Sequence, residues 1–119
     1  MLAANAALLQ WDPSAAESIL EAASHRGNTS LLILNDLAVA YAMDADHTRS
    51  NRDYAKALAA TDQVLSQSGS DPTALFNRVL ILERMGQRNE AIATVKFLLK
   101  VEHDPAWTKE AADQLRLLE

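Results

Sequence analysis

The sequence predicts an all-α fold of tandem helix–turn–helix units closed by a C-terminal capping helix, and three observations carry that expectation. Alanine and leucine dominate while glycine and proline number three each, which favours helices packed through small side chains over strands and long loops. Apolar residues recur at spacings of three and four, at Leu75, Val79 and Leu82 and again at Ala91, Val95 and Leu98, drawing one stripe along each of two helices. The chain also repeats itself. Ala57 and Ala91 are 34 residues apart, and each is followed at +4 and +7 by residues that can fill the same core slots.

In chain order, residues 2–10 read as a helix that begins abruptly. Residues 13–26 read as a second helix with Ala16, Ile19, Leu20 and Ala23 inward, ended by Gly27 and Asn28. A third helix, about 30–44, turns Leu34, Leu37, Ala38 and Tyr41 inward, and a fourth, about 52–68, does so with Ala57, Leu58, Thr61, Val64 and Leu65. The polar stretch Ala45 to Asn51 between them reads as a loop. The stretch from Asp71 to Pro105 holds the next two helices, the first ended by Gly86 as a left-handed cap, the second with Ile92 and Leu99 widening its stripe. A last helix from Pro105 carries Trp107, Ala111, Leu115 and Leu118, with Lys109, Glu110, Asp113, Gln114 and Arg116 outward.

Punctuation supports these boundaries. All three prolines follow aspartate, at Asp12-Pro13, Asp71-Pro72 and Asp104-Pro105. Aspartate at an N-cap accepts hydrogen bonds from free amides of the first turn, and proline at the first helical position presets φ without losing a needed donor. The first-helix matches Leu34 with Leu75, Ala38 with Val79 and Tyr41 with Leu82 fall at a separation of 41, so the middle unit carries seven extra residues, placed in the polar loop. Ala16 and Ala57 are also 41 apart. One domain over 1–119 follows, with units at about 1–29, 30–70 and 71–104 and a capping helix over 105–119.

Composition removes several classes of function. A net charge of −5 with no basic patch repels phosphate backbones, so no nucleic-acid partner is expected. The absence of cysteine removes disulfides, thiolate nucleophiles and the usual zinc sites, while saying little about compartment. The apolar run Leu31 to Leu34 is far too short to span a membrane, and no basic region with a cleavage site follows Met1, so a cytoplasmic setting is favoured and no membrane partner is expected.

Candidate chemistry is sparse. No GxSxG elbow or phosphate-cradling glycine loop is present, so neither an enzyme nor a cofactor is expected. Asp44, Asp46, Thr48 and Ser50 alternate as at the opening of a calcium loop, but Arg49 stands where glycine is needed and Ala55 where the closing glutamate is needed. His25, His47 and His103 lie at helix ends or in loops with no ligand-like spacing, which reads as solvated and leaves no metal site. Glu17, Glu21, Glu90 and Glu110 fall opposite the apolar stripes and read as solvated faces.

A period of 34 in helix–turn–helix units with small residues at the helix contacts resembles the tetratricopeptide repeat family, over nearly all of the chain. Leu75, Leu82, Gly86, Ala91, Val95 and Leu98 stand at its signature positions, as do Leu37, Ala38, Tyr41, Tyr54 and Ala57 in the middle unit. Arg78 replaces the usual leucine, and His103 the usual proline. The combination of NDLAVAYAMDA, a lengthened loop and DPTALFNRVLILERMGQRNEA is similar to repeat arrays that precede a caspase-like CHAT protease domain in certain bacterial proteins. That likeness implies a regulatory, non-catalytic arm.

The family resemblance implies a scaffold that binds a protein or peptide in a concave groove lined by the first helix of each unit. Transferred by position, the groove comprises Leu32, Asn35, Asp36, Val39 and Met43 from the middle unit and Thr73, Phe76, Asn77, Leu80, Glu83 and Arg84 from the next, with Asn5 and Leu8 extending it. Apolar pockets would take side chains of an extended or helical peptide while Asn35 and Asn77 bond its backbone. Asn35 and Val39 stand at two places of the family's carboxylate clamp, so capture of a chaperone C-terminal tail is not expected.

Two other readings stand beside this one. Leu32, Val39, Phe76 and Leu80 are equally well read as core. Trp11, Phe97 and Leu117 lie off the expected stripes or in a turn, which is compatible with a self-associating array, a homodimer through the N-terminal end or the groove.

Overall fold

The computed structural model describes residues 17, 18, 21, 22 and 30–119. The expected helix over 2–10, the ending at Gly27 and Asn28, the inward roles of Ala16, Ile19, Leu20 and Ala23, the Asp12-Pro13 cap and the places of Trp11, Asn5 and Leu8 lie outside the described residues. The described part is all-helical: α1 (Leu31–Thr48), α2 (Asn51–Gln67), α3 (Pro72–Arg84), α4 (Arg88–Val101) and α5 (Pro105–Leu118). Residues 17, 18, 21 and 22 are helical too. Each helix packs on the next in sequence, and α1 also touches α3.

Helix starts follow the punctuation. Ser30 caps α1, its Oγ accepting from Ile33 N at 3.3 Å. Asp71 caps α3, accepting from Ala74 N at 2.9 Å, and Asp104 caps α5, accepting from Ala106 N at 2.9 Å, with Pro72 and Pro105 next in each first turn. The end of α3 is closed as expected by Gly86 at φ 77°. Gln87 N donates to Leu82 O at 2.9 Å and Gly86 N to Glu83 O at 3.0 Å, the paired bonds of a Schellman motif.

The polar stretch after Asp44 departs from expectation. It is not a loop from Ala45 to Asn51: α1 continues to Thr48, and only Arg49 and Ser50 connect it to α2. Ala45 explains the continuation, because it is fully buried against Tyr54, Ala57 and Ile81 and holds one more turn in register. Arg49 then reverses the chain at φ 54°, its N–H donating to Ala45 O at 2.6 Å. Thr48 Oγ1 donates to Asp53 Oδ2 at 2.8 Å and accepts from Ser50 N at 3.3 Å, stitching the tight turn. The extra residues therefore lengthen both helices, to 18 and 17 residues against 13 and 14 in α3 and α4.

Three apolar clusters run through the described residues. Ile33, Leu34, Leu37, Ala38 and Ala40 of α1 meet Ala60 and Val64 of α2, and Ala74 of α3 joins them. Leu75, Val79, Leu82, Ala91, Val95, Leu98, Ala111 and Leu118 form the second, among α3, α4 and α5. The Ala45, Tyr54, Ala57 and Ile81 cluster lies between α1, α2 and α3. Buried residues ring α1 on most sides, the pattern of a helix with neighbours all round. Thr61, fully buried, satisfies its hydroxyl by donating to Leu58 O at 2.7 Å. Of the expected stripe on α5, Ala111 and Leu118 are buried and Trp107 and Leu115 half-buried.

Polar contacts hold neighbouring helices in register. Arg78, at the position expected for leucine, pairs with Asp62 of α2 at 2.5 Å. Arg88 at the start of α4 donates to the backbone oxygens of Leu118 and Glu119, capping the last helix. No helix among the described residues is long and apolar enough to cross a membrane.

Candidate functional site

A cleft of about 120 Å³ opens between α1 and α3. Its α1 wall comes from Val39 and Met43, four residues apart and so on one face, and its α3 wall from Asn77, Leu80 and Arg84 at spacings of three and four. Ala38, Ala42 and Ile81 also line it, and the two small alanines let the helices approach while leaving space above. The floor is apolar. The exits are polar.

At one exit Asp46 accepts from Tyr54 Oη at 2.5 Å through Oδ1 and pairs through Oδ2 with Arg84 Nε at 3.1 Å. The bond to Asp46, together with burial, raises the Tyr54 hydroxyl above the ordinary value of 10.0. Arg84 Nη1 also donates to Leu80 O at 3.3 Å, so the guanidinium is held along the rim of its own helix. Nearer the start of both helices, Asn35 Nδ2 donates to Asp71 Oδ2 at 3.2 Å, the oxygen that also caps α3.

Three buried polar atoms on these helices have no hydrogen-bond partner among the described residues: Asn35 Oδ1, Asp36 Oδ2 and Asn77 Nδ2. An unmet buried polar group is costly, by about 1–3 kcal/mol each, and each is a point at which a ligand atom or water would be stabilised. Asp36 is raised from its ordinary 3.8 by burial. Asn77 is the one of the three that lines the cleft.

Of the residues expected in a groove, Val39, Asn77, Leu80 and Arg84 come together here, with Met43 beside them. Leu32, Asp36 and Thr73 do not line the cleft; Leu32 is 59% exposed, and the other two are half-buried. Phe76 turns to α5, its ring centroid 5.9 Å from that of Trp107 at an interplanar angle of 58°. Glu83 likewise faces α5, accepting from Gln114 Nε2 at 2.6 Å. Asn35 has its amide N–H committed to Asp71, so only its Oδ1 remains for anything else. Asp46 and Tyr54 fall outside the expected groove, because their meeting depends on α1 running past Asp44.

The other candidates resolve as follows. Asp44, Asp46 and Thr48 lie on the continuous helix α1, which lacks the turn that a calcium loop wraps around its ion. Glu90 and Glu110 are exposed as expected, whereas Glu17 and Glu21, read as solvated, are half-buried. Phe97 and Leu117 are exposed, at 44% and 78%. A scan against protein-family models finds no match, and a search of curated proteins finds none either.

Proposed function

We propose that this protein is a non-catalytic interaction scaffold of the tetratricopeptide type, with the α1–α3 cleft as the place where a partner's side chain is taken up. The family reading is supported by consecutive helix pairs whose two members match in length, by the contact of α1 with α3 across a pair, and by the left-handed glycine closing α3. One observation carries the site: the cleft has an apolar floor and one buried, unpartnered donor, Asn77 Nδ2. That combination fits a peptide segment that inserts an apolar side chain between Val39, Met43 and Leu80 and presents a carbonyl oxygen to Asn77. At about 120 Å³ the cleft accommodates one side chain, so further affinity would come from the backbone running along α1 and α3.

The test is selection of peptides from a displayed random library against the full chain, followed by titration into variants. Leu80→Ala should weaken a selected peptide at least tenfold, and Phe97→Ala, on another helix, should leave it unchanged. Binding indifferent to Leu80→Ala, or lost with Phe97→Ala, would move the site away from the cleft. Self-association is the second reading, favoured by the exposure of Phe97 and Leu117; a mass by light scattering that doubles with concentration and reverts in the Phe97→Ala, Leu117→Ala double variant would establish it instead.

A further inference from the structure

The turn between α1 and α2 gathers two guanidinium groups beside one carboxylate. A cavity of about 420 Å³ is lined there by Asp46, Arg49, Asn51, Tyr54 and Arg84, polar side chains from α1, the turn, α2 and α3. Arg84 pairs with Asp46 through Nε at 3.1 Å and donates from Nη1 to Leu80 O at 3.3 Å, so its guanidinium is fixed along the rim. Arg49 is held by its backbone instead, at φ 54° with its N–H on Ala45 O. Its guanidinium forms no ion pair; among the described residues the cations that do are Arg78, Arg84, Lys109 and Arg116. Asp53, near in sequence, accepts from Thr48 Oγ1 and does not line the cavity. Two positive charges against the one negative charge of Asp46 leave an excess of one. That excess suits a single carboxylate, which a guanidinium fork grips through two parallel N–H bonds, whereas a doubly charged phosphate would stay under-neutralised beside Asp46. Asp46 and Arg84 also line the α1–α3 cleft, so the two spaces adjoin. Leu80 and Arg84 are four residues apart on α3, about 6 Å along its axis, a span that two residues of extended chain cover.

We propose that cleft and cavity form one peptide site: an apolar side chain enters the cleft, and the side-chain carboxylate of a glutamate or aspartate about two residues away enters between Arg49 and Arg84. The carboxylate site depends on the cleft being the place where a partner's side chain is taken up, and it adds the sign of that partner's charge. With a net charge of −5 the chain as a whole repels acidic segments, so the apolar anchor is what brings a carboxylate to this corner. Both arginines are exposed, so the contact is screened by salt and selects among peptides more than it tightens them.

Short random peptides with one fixed leucine, acetylated and amidated at their ends, test this when selected on the full chain. Binders that Leu80→Ala weakens should be enriched in glutamate or aspartate about two residues from the leucine. Changing that acid to glutamine should weaken binding at least about threefold at about 50 mM salt and less than about 1.5-fold at about 0.5 M, because exposed charges are screened. Arg49→Gly suits the left-handed turn and should cut the low-salt preference for the acid below about 1.5-fold, with the glutamine peptide bound as by wild type. Arg52→Ala, exposed on the first turn of α2 and outside the cavity, should change neither peptide. Leu80-dependent binders with no acid preference, or with one that stays above that value in Arg49→Gly or falls in Arg52→Ala, overturn the carboxylate site and leave the cleft standing. No Leu80-dependent binder at all removes both. A phosphoserine analogue bound more tightly than the glutamate peptide contradicts the single excess charge and overturns the choice of a carboxylate. Should Arg49→Gly weaken both peptides alike, Arg49→Lys decides: a restored preference for the acid supports the site, and none overturns it.

Discussion

The Tyr54 hydroxyl donates to Asp46 Oδ1 at 2.5 Å, and this contact ties the first turn of α2 to the last turn of α1. Asp46 reaches α3 through Arg84, so three helix ends converge on one carboxylate. Tyr54 is only 8% exposed, so removing its hydroxyl leaves the carboxylate with a single partner in a partly desolvated corner. Tyr54→Phe should cost about 1.5–2 kcal/mol, as for a hydrogen bond to a charged group, whereas Arg84→Ala should cost less than about 1 kcal/mol because that pair is solvated. Urea midpoints at constant slope measure both. The hydroxyl is raised above 10.0 in the folded state, so its contribution is present below that value and is lost as pH rises through the folded one. The gap between wild type and Tyr54→Phe should accordingly narrow in alkaline buffer.

Asp71 serves two elements with one oxygen, accepting from Ala74 N within its own helix and from Asn35 Nδ2 of α1. Asp104 has the first kind of contact without the second. Asp71→Ala should therefore destabilise more than Asp104→Ala, by about 2 kcal/mol or more, because it removes a cap and orphans a buried amide together. A double-mutant cycle of Asn35→Ala with Asp71→Ala isolates the tertiary part, and a coupling near zero would mean that Asn35 contributes through packing alone.

Local rules made the helix starts and inner stripes legible, and non-local contacts decided the rest. Asp-Pro pairs and Gly86 act within one turn of chain, so their roles could be read without knowing any neighbour. The continuation of α1 could not. Its deciding residue is Ala45, which is inward only because Tyr54 and Ile81 arrive from other helices, while the residues around it are polar enough to read as loop. Asn35 and Phe76 fell on expected groove positions, yet Asp71 and Trp107 claim them. Glu17 and Glu21 carry the spacing of a solvated pair, but both are half-buried, and Glu21 shares a cavity with Leu37 of α1 and Lys56 of α2. Helical spacing shows which residues share a face; it does not show which faces meet.

Among the described residues two share the left-handed region, Gly86 at φ 77° and Arg49 at φ 54°, and they should respond in opposite senses to substitution. A Cβ at Gly86 meets nothing within 4 Å, so Gly86→Ala bears only the backbone penalty, roughly 1 kcal/mol of destabilisation. Arg49→Gly relieves that same penalty, offset by the entropy of an added glycine, and should stabilise by up to about 1 kcal/mol. Thermal midpoints of the two variants against wild type check the pair, and a destabilised Arg49→Gly would point to a side-chain contact that outweighs the backbone term.

Ala91 sets the distance between α3 and α4. It is fully buried among Leu75, Val79, Leu82, Val95 and Leu98, with no exposed flank toward which a longer side chain could lean. Ala91→Leu must therefore push the helices apart or force neighbours from their rotamers, at a cost of about 1–3 kcal/mol. Ala93, two positions away on the exposed face, accepts the same change with no neighbour to displace. The contrast in denaturant midpoint between the two leucine variants measures the close approach itself, because helix propensity and added apolar volume are common to both. Equal midpoints would mean that α4 can rotate to turn position 91 outward, and the cleft of α1 and α3 would then not be fixed by the packing beneath it.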